Sequence, residues 1–315
     1  MRVALRGNLR KQGEIAPRRF LKILADGDRP QFTQGSGRIE LAAAVVGPDN
    51  PLTARVIVNR IWLQHFGRAL VRSPSNFGTL GQPPTHAELL DWLAVEFVES
   101  GWSIKRLHRT IMLSATYQMS SQYNAENFKH DGDNRSIWRM NPRRMDVEAW
   151  RDSLLDVVGG LDQTIGGLPT ERLLSSRRRT LYSVVSRNGD RFESDEFLRL
   201  FDFPSPRATS AKRVTSIVPQ QFLFMMNSPF MIERARELAR RLAAEAKNDA
   251  QRIDRAYRLL FARPPTDREQ AIGLRFLTQA KQPNHTATNA NEPKLSAWEQ
   301  YAQTLLSANE FMHVR

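Results

Sequence analysis

Cysteine is absent from the chain. That excludes disulfides, thiolate zinc sites, a cysteine nucleophile and covalent c-type haem attachment, and it leaves the redox compartment open. Lysine is scarce: eight of the 46 basic residues are lysine, and the other 38 are arginine. Long apolar runs are also missing. None approaches the roughly 18 residues that a membrane-spanning helix needs, so no membrane insertion is expected. The opening stretch MRVALRGNLRKQGE has no apolar segment of signal-peptide length. No phosphate loop, dinucleotide fingerprint or Gly-x-Ser-x-Gly elbow occurs. The six histidines are scattered, with no pair at the close spacing of a compact His-based zinc motif. Neither a metal nor a cofactor is expected.

What the chain does have is positive charge, +13 with a pI near 10.6. A strongly basic chain invites a nucleic-acid reading. The excess is spread out, however: residues 1–40 hold nine basic and four acidic residues, and residues 135–191 hold eleven and seven. A binding groove concentrates charge. No specific nucleic-acid partner is therefore expected, and a basic nucleic-acid-binding protein remains an alternative.

A hydrophobic fraction of 41% is enough for a core. Periodicity and caps predict a mainly α, multi-helical globular fold with a short β-rich insertion around 180–218. Four stretches follow: an irregular N-terminal segment, 1–35; a helical signature region, 36–160; a mixed loop and short-strand region, 161–228; and a C-terminal helical region, 229–315. Asn50 is a good N-cap with Pro51 at the first helical position and Gly67 past the end. Thr85 with Glu88 and Thr266 with Glu269 match capping boxes. TLYSVVS and RVTSIV are rich in β-branched residues and predict strands. PQQFLFMMNSPF reads as a buried apolar turn, and KQPNHTATNANEPK as a polar linker.

The helix starting at Pro51 poses a question. On a helical wheel Arg60 and Gln64 share a side that can face water, whereas Arg55, Asn59 and His65 fall among apolar neighbours. A buried polar group without a partner costs about 1–3 kcal/mol. These three are expected either to pin the 67–84 loop through backbone carbonyls or to line a pocket under it. Arg143 and Arg144, in the MNPRRMD turn, complete that candidate pocket. Glu148 and Asp152 lie four apart and could do acid–base work, but Arg144 and Arg151 beside them make an ion-pair ladder the simpler account. DGDN at 131–134 fails the EF-hand pattern at its sixth and twelfth positions, Ser136 and Pro142. RFESDEF is expected to be a solvated acidic turn.

Several long phrases in order carry a resemblance over nearly the whole chain. They are GSGRIELAAAVVGPDNPLTARVIVNRIWLQHFGRALVRSPSNFGTLGQPPTHAELLDWLAVEFVESGWSIKRLHRTIMLSATYQMSS, WRMNPRRMDVEAWRDSLL, TSIVPQQFLFMMNSPFM, YRLLFARPPTDRE and LLSANEFMHV. They resemble the planctomycete-specific domain called PSD, or domain of unknown function 1553. Its members are typically the C-terminal part of long exported proteins that carry a cytochrome-c-like haem domain upstream. The resemblance implies an extracytoplasmic, cell-envelope setting, a cytochrome-c-like partner in a fused or neighbouring chain, and a chain that is a fragment of such an architecture. It brings no catalytic residues. The expected function is an interaction or scaffolding module for the haem-bearing domain. The alternative is an enzyme or carbohydrate-binding domain with its pocket near His65.

Overall fold

A computed structural model of the protein describes residues 2–24, 29–280 and 295–314. The linker expected at 281–294 lies outside these residues. Among them are eleven helices of at least seven residues and two small two-stranded sheets, so the fold is mainly α. The chain divides into two units, Met1–Asn141 and Pro142–Arg315, and each has a hydrophobic core of its own. The division falls inside the 36–160 stretch.

In the first unit, a short antiparallel hairpin of β1 (Arg2–Ala4) and β2 (Gln12–Ile15) lies within the segment that reads as irregular. Helices α1 (Arg38–Val46), α2 (Pro51–Phe66), α3 (Ala87–Glu99), α4 (Ile104–Met112) and α5 (Ala125–His130) follow. The ends of α2 are those its sequence dictates. The Asn50 side chain accepts from the Leu52 amide at 3.1 Å, and Gly67, at φ +69°, donates its amide to Leu63. Only glycine adopts that left-handed cap without strain. Val58, Trp62 and Phe66 on α2 pack with Leu90, Leu93 and Phe97 on α3 and with Leu107 and Ile111 on α4. Helix α3 does not start as expected. His86 occupies the N-cap, and Thr85 instead donates its amide to Leu70 at 2.9 Å, closing the loop after α2.

The second unit runs from β3 (Arg143–Arg144) through α6 (Val147–Val157), α7 (Glu193–Leu200), α8 (Pro219–Asn227), α9 (Pro229–Glu245), α10 (Asp249–Phe261), α11 (Asp267–Ala280), α12 (Ala297–Leu306) and α13 (Asn309–Met312) to β4 (His313–Val314). Strands β3 and β4 pair antiparallel, Arg143 opposite Val314 and Arg144 opposite His313. Fully buried Leu154, Met231, Ala235, Leu238, Ile253, Ala302 and Leu306 form the centre of the core. Gly273 marks the closest approach of α11 to its neighbours. A Cβ there would lie 2.5 Å from the Tyr301 hydroxyl and 2.9 Å from Ile253 Cδ1. Gly273→Ala is expected to destabilise by about 1–3 kcal/mol, the usual cost of overpacking, measured by chemical denaturation against the parent.

Two expectations fail here. The β-rich insertion around 180–218 does not form strands. Around it there are only isolated bridges, such as Thr170 with Ser183, a 3-10 turn at Thr180–Tyr182, and α7. Carboxylates take donors from this stretch: Asp152 on α6 accepts from the Thr180 amide, and Asp202, in the turn after α7, from the Ser216 amide and hydroxyl. PQQFLFMMNSPF is not a buried turn but α8 with the start of α9. On α8, Gln221 and Met225 are buried while Phe222, Leu223 and Met226 are exposed.

The Thr266–Glu269 capping box forms and extends into a clasp. Arg263 donates to both oxygens of Glu269, at 2.8 and 2.9 Å, and to both of Glu310, at 2.8 Å, joining α10, α11 and α13. The hydrogen bonds from Arg263 hold the Glu269 carboxyl at about 2, below its ordinary 4.5. A carboxyl depressed on folding adds stability that is present above its unfolded value and lost as pH falls through the folded one. That contribution should disappear as pH falls from 4.5 to about 2. In Arg263→Met, the acid-side decline in denaturation midpoint should be shallower over this window.

Candidate functional site

Of the three polar residues on α2, Asn59 is fully buried, and its amide faces the backbone of Val71. Its Nδ2 donates to the Val71 carbonyl at 3.0 Å, and its Oδ1 accepts from the Val71 amide at 2.8 Å. The side chain thus pairs like a strand residue and holds the start of the 67–84 loop, as expected. Arg55 does something else. Its Nε donates to Asp91 on α3 at 2.7 Å and its guanidinium to the Pro51 carbonyl at 2.7 Å, with about a third of the side chain exposed. Enclosure among apolar groups is therefore wrong for Arg55: α3 offers a carboxylate at the rim of the interface. Arg60 and Gln64 are exposed, as the wheel implies.

His65 is buried, and its Nε2 lies 2.7 Å from Nδ1 of His108 on α4. The Tyr117 ring stands edge-on to His65 with centroids 5.4 Å apart. The two histidines are 43 residues apart in sequence, so no motif spacing reveals the pair. At this distance one ring must donate and the other accept, which forbids both from being doubly protonated without moving apart. A small cavity nearby is lined by Trp62, Phe66, Arg68, Arg72, Thr85 and Asn141 among others, and His65 is not part of it.

Arg143 and Arg144 lie in the second unit, in β3. Arg144 is nearly buried; it donates to the Ser216 carbonyl at 2.6 Å and pairs with Asp202 at 3.4 Å. Burial pulls its pKa down and Asp202 opposes that fall. The ladder expected along α6 is made only at Asp152, which lies 3.7 Å from Arg151. Glu148 takes a two-pronged pair from Arg213, both bonds 2.6 Å, rather than Arg144. Asp152 accepts from Thr180 Oγ1 at 2.7 Å and lies 3.5 Å from Arg179. Arg151, fully buried, donates to the carbonyls of Leu173, Ser176 and Arg178 and to the Thr180 hydroxyl. Desolvation lowers its pKa to about 10.

One concavity of the second unit was not foreseen. It is a cleft of about 870 Å³. One face of α6 (Ala149, Ser153 and Asp156), the 161–165 segment, the end of α10 and the turn at α13 and β4 enclose it. Its polar groups include Asp152, Asp156, Gln163, Arg179, Glu310 and His313. The His313 Nδ1 lies 2.8 Å from the Asn309 carbonyl, which can only accept. That contact puts the proton on Nδ1 and leaves Nε2 of the neutral ring as an acceptor.

Residues 37–277 match the family model described as PSD1, protein of unknown function (DUF1553). The chain belongs to this family. No curated protein and no solved structure matches it. The DUF1553 match covers α1 to α10 and most of α11, and with them Arg55, Asn59, His65, Arg143 and Arg144; Glu310 and His313 fall outside it.

Two other motifs of this DUF1553 chain are structural. Asp195 is buried, not solvated. It accepts from the Ser186, Arg191 and Phe192 amides and caps α7. Despite the desolvation that raises it, these bonds leave its pKa below the usual value. In DGDN, Asp131 accepts from the Arg135 and Ser136 amides, and Asn134 Oδ1 from the Trp138 amide, so the loop binds its own backbone. Among the described residues no cluster of three or more His, Asp or Glu is placed to hold a metal ion, and no helix is long and apolar enough to cross a membrane.

Proposed function

We propose that the chain is an interaction module, and that its partner covers the surface around α1. The observation that carries this reading is the composition of α1 against its burial. Seven of its nine residues, in RIELAAAVV, are apolar, and none is buried. Ile39 is 78% exposed, and the preceding segment exposes Leu9, Leu21 and Ile23 as well. Apolar side chains left exposed along a whole helix mark protein interfaces. The partner we propose is a cytochrome-c-like haem domain, fused or neighbouring, in an extracytoplasmic setting; the resemblance to PSD proteins supports both. The test is sedimentation of the chain mixed with a cytochrome-c-like haem domain, followed by haem absorbance. Haem should sediment with the chain and should not with Ile39→Asp/Val46→Asp. Haem that sediments alone beside the parent chain defeats the reading.

A second reading, a ligand site at His65, is favoured by its contact with His108. It predicts that His108→Gln, which can keep a hydrogen bond, alters ligand binding without lowering the denaturation midpoint.

A further inference from the structure

We propose that the cleft between α6 and the α10–α13 corner of the second unit binds an organic cation: an amine or guanidinium carried on a hydrocarbon frame. Size comes first. At about 870 Å³ the cleft falls in the range of small-molecule sites. About half of its wall is apolar, from Val157, Leu161, Ile165, Leu259, Phe261 and Phe311, so the body of the ligand is hydrocarbon.

Charge then selects the head group. The chain as a whole is +13, yet the cleft presents three carboxylates, Asp152, Asp156 and Glu310, against one arginine, Arg179. Two of the three are already answered: Asp152 by Arg151 and Arg179, and Glu310 by Arg263. Asp156 has no ion-pair partner among the described residues. The C-terminal end of α10 also faces the cleft through Leu259, Leu260 and Phe261. A helix C-terminus carries partial negative charge and favours a cation. Gln163, whose side-chain carbonyl can accept a second N–H of the ligand, and His313 line the same cleft. Acceptors, fixed negative charge and a greasy wall together describe an aminoalkyl or guanidinoalkyl group. Its source is either a free small amine or a Lys or Arg side chain of a peptide.

The experiment titrates the full chain with n-hexylammonium, 1-hexanol, hexanoate and a blocked Leu-Lys-Leu tripeptide. Amide chemical shifts are followed at Ala149, Ser153, Leu161 and Ala262. Hexylammonium should saturate these shifts with about tenfold higher affinity than hexanol, the scale of one charge-assisted contact, and hexanoate should not bind. Asp156→Asn should weaken hexylammonium by a similar factor and leave hexanol unchanged. Asp156 is exposed, so this variant should fold. Ala149→Phe, on the exposed face of α6, should block both. The tripeptide binding more tightly than hexylammonium assigns the natural cation to a protein side chain, and weaker binding assigns it to a small amine. Equal affinity for amine and alcohol, insensitivity to Asp156→Asn, or no saturation by any probe overturns the proposal.

Discussion

Arg151→Ala is expected to be the most damaging single substitution in the second unit, at about 3–5 kcal/mol. The side chain is fully buried, and its guanidinium reaches three carbonyls, those of Leu173, Ser176 and Arg178, together with the Thr180 hydroxyl. Removing it strands these acceptors and leaves Asp152 with a weaker counter-charge, Arg179 at 3.5 Å. Leu173, which is almost fully buried in the core, then loses its backbone anchor. Arg151→Lys should recover little, because one ammonium cannot span a row of carbonyls that a planar fork reaches from both nitrogens. Denaturant midpoints of parent, Ala and Lys variants decide the matter. Proteolysis within 173–180 should accelerate in step with the loss of stability. A parental midpoint in Arg151→Ala would mean that the 173–180 segment is held from elsewhere.

Asn59→Ala comes second, at about 2–4 kcal/mol, because it orphans both the amide and the carbonyl of Val71 in a buried place. Asn59→Asp tests the pairing more sharply. It keeps the acceptor for the Val71 amide but faces the carbonyl with a second acceptor, so it should be no better than alanine near neutral pH. Arg60→Ala, one residue on and exposed, should stay within about 0.5 kcal/mol. If Asn59→Ala unfolds with the parent, the 67–84 loop does not depend on that pair.

These two residues show what a sequence reveals and what it hides. Both are polar groups on apolar helices. For Asn59 the wheel was sufficient, because a short amide buried on α2 can reach only nearby backbone, and the loop after Gly67 is what lies within reach. For Arg151 the local rule misled. Asp152 and the surrounding charges suggest a surface ladder, whereas the hydrogen-bond partners of Arg151 lie more than 20 residues away, on a segment whose course no periodicity sets. The same holds for Glu148, which pairs 65 residues away, and for the His65–His108 contact. Helices α2 and α11 were legible because caps and apolar spacing are local. The strands expected near 180–218 were not, because β-branched composition states a preference, while the choice between a ladder and carboxylate partners is made by the packed helices. The cleft was invisible for a related reason: its lining comes from four separate stretches of chain.

The pairing of β3 with β4 has a consequence for the order of assembly. The residues that open the second unit are bonded to those that close it, Arg143 to Val314 and Arg144 to His313. As the chain leaves the ribosome, β3 emerges early and must wait for nearly the whole unit to be synthesised before its partner exists. Met145, just after β3, likewise bonds the Met312 carbonyl and is left open until then. The second unit therefore has its seam at the junction of its two ends. Nascent chains stalled before residue 312 should keep that seam exposed to chaperones and proteases, even with the helices of the core already formed.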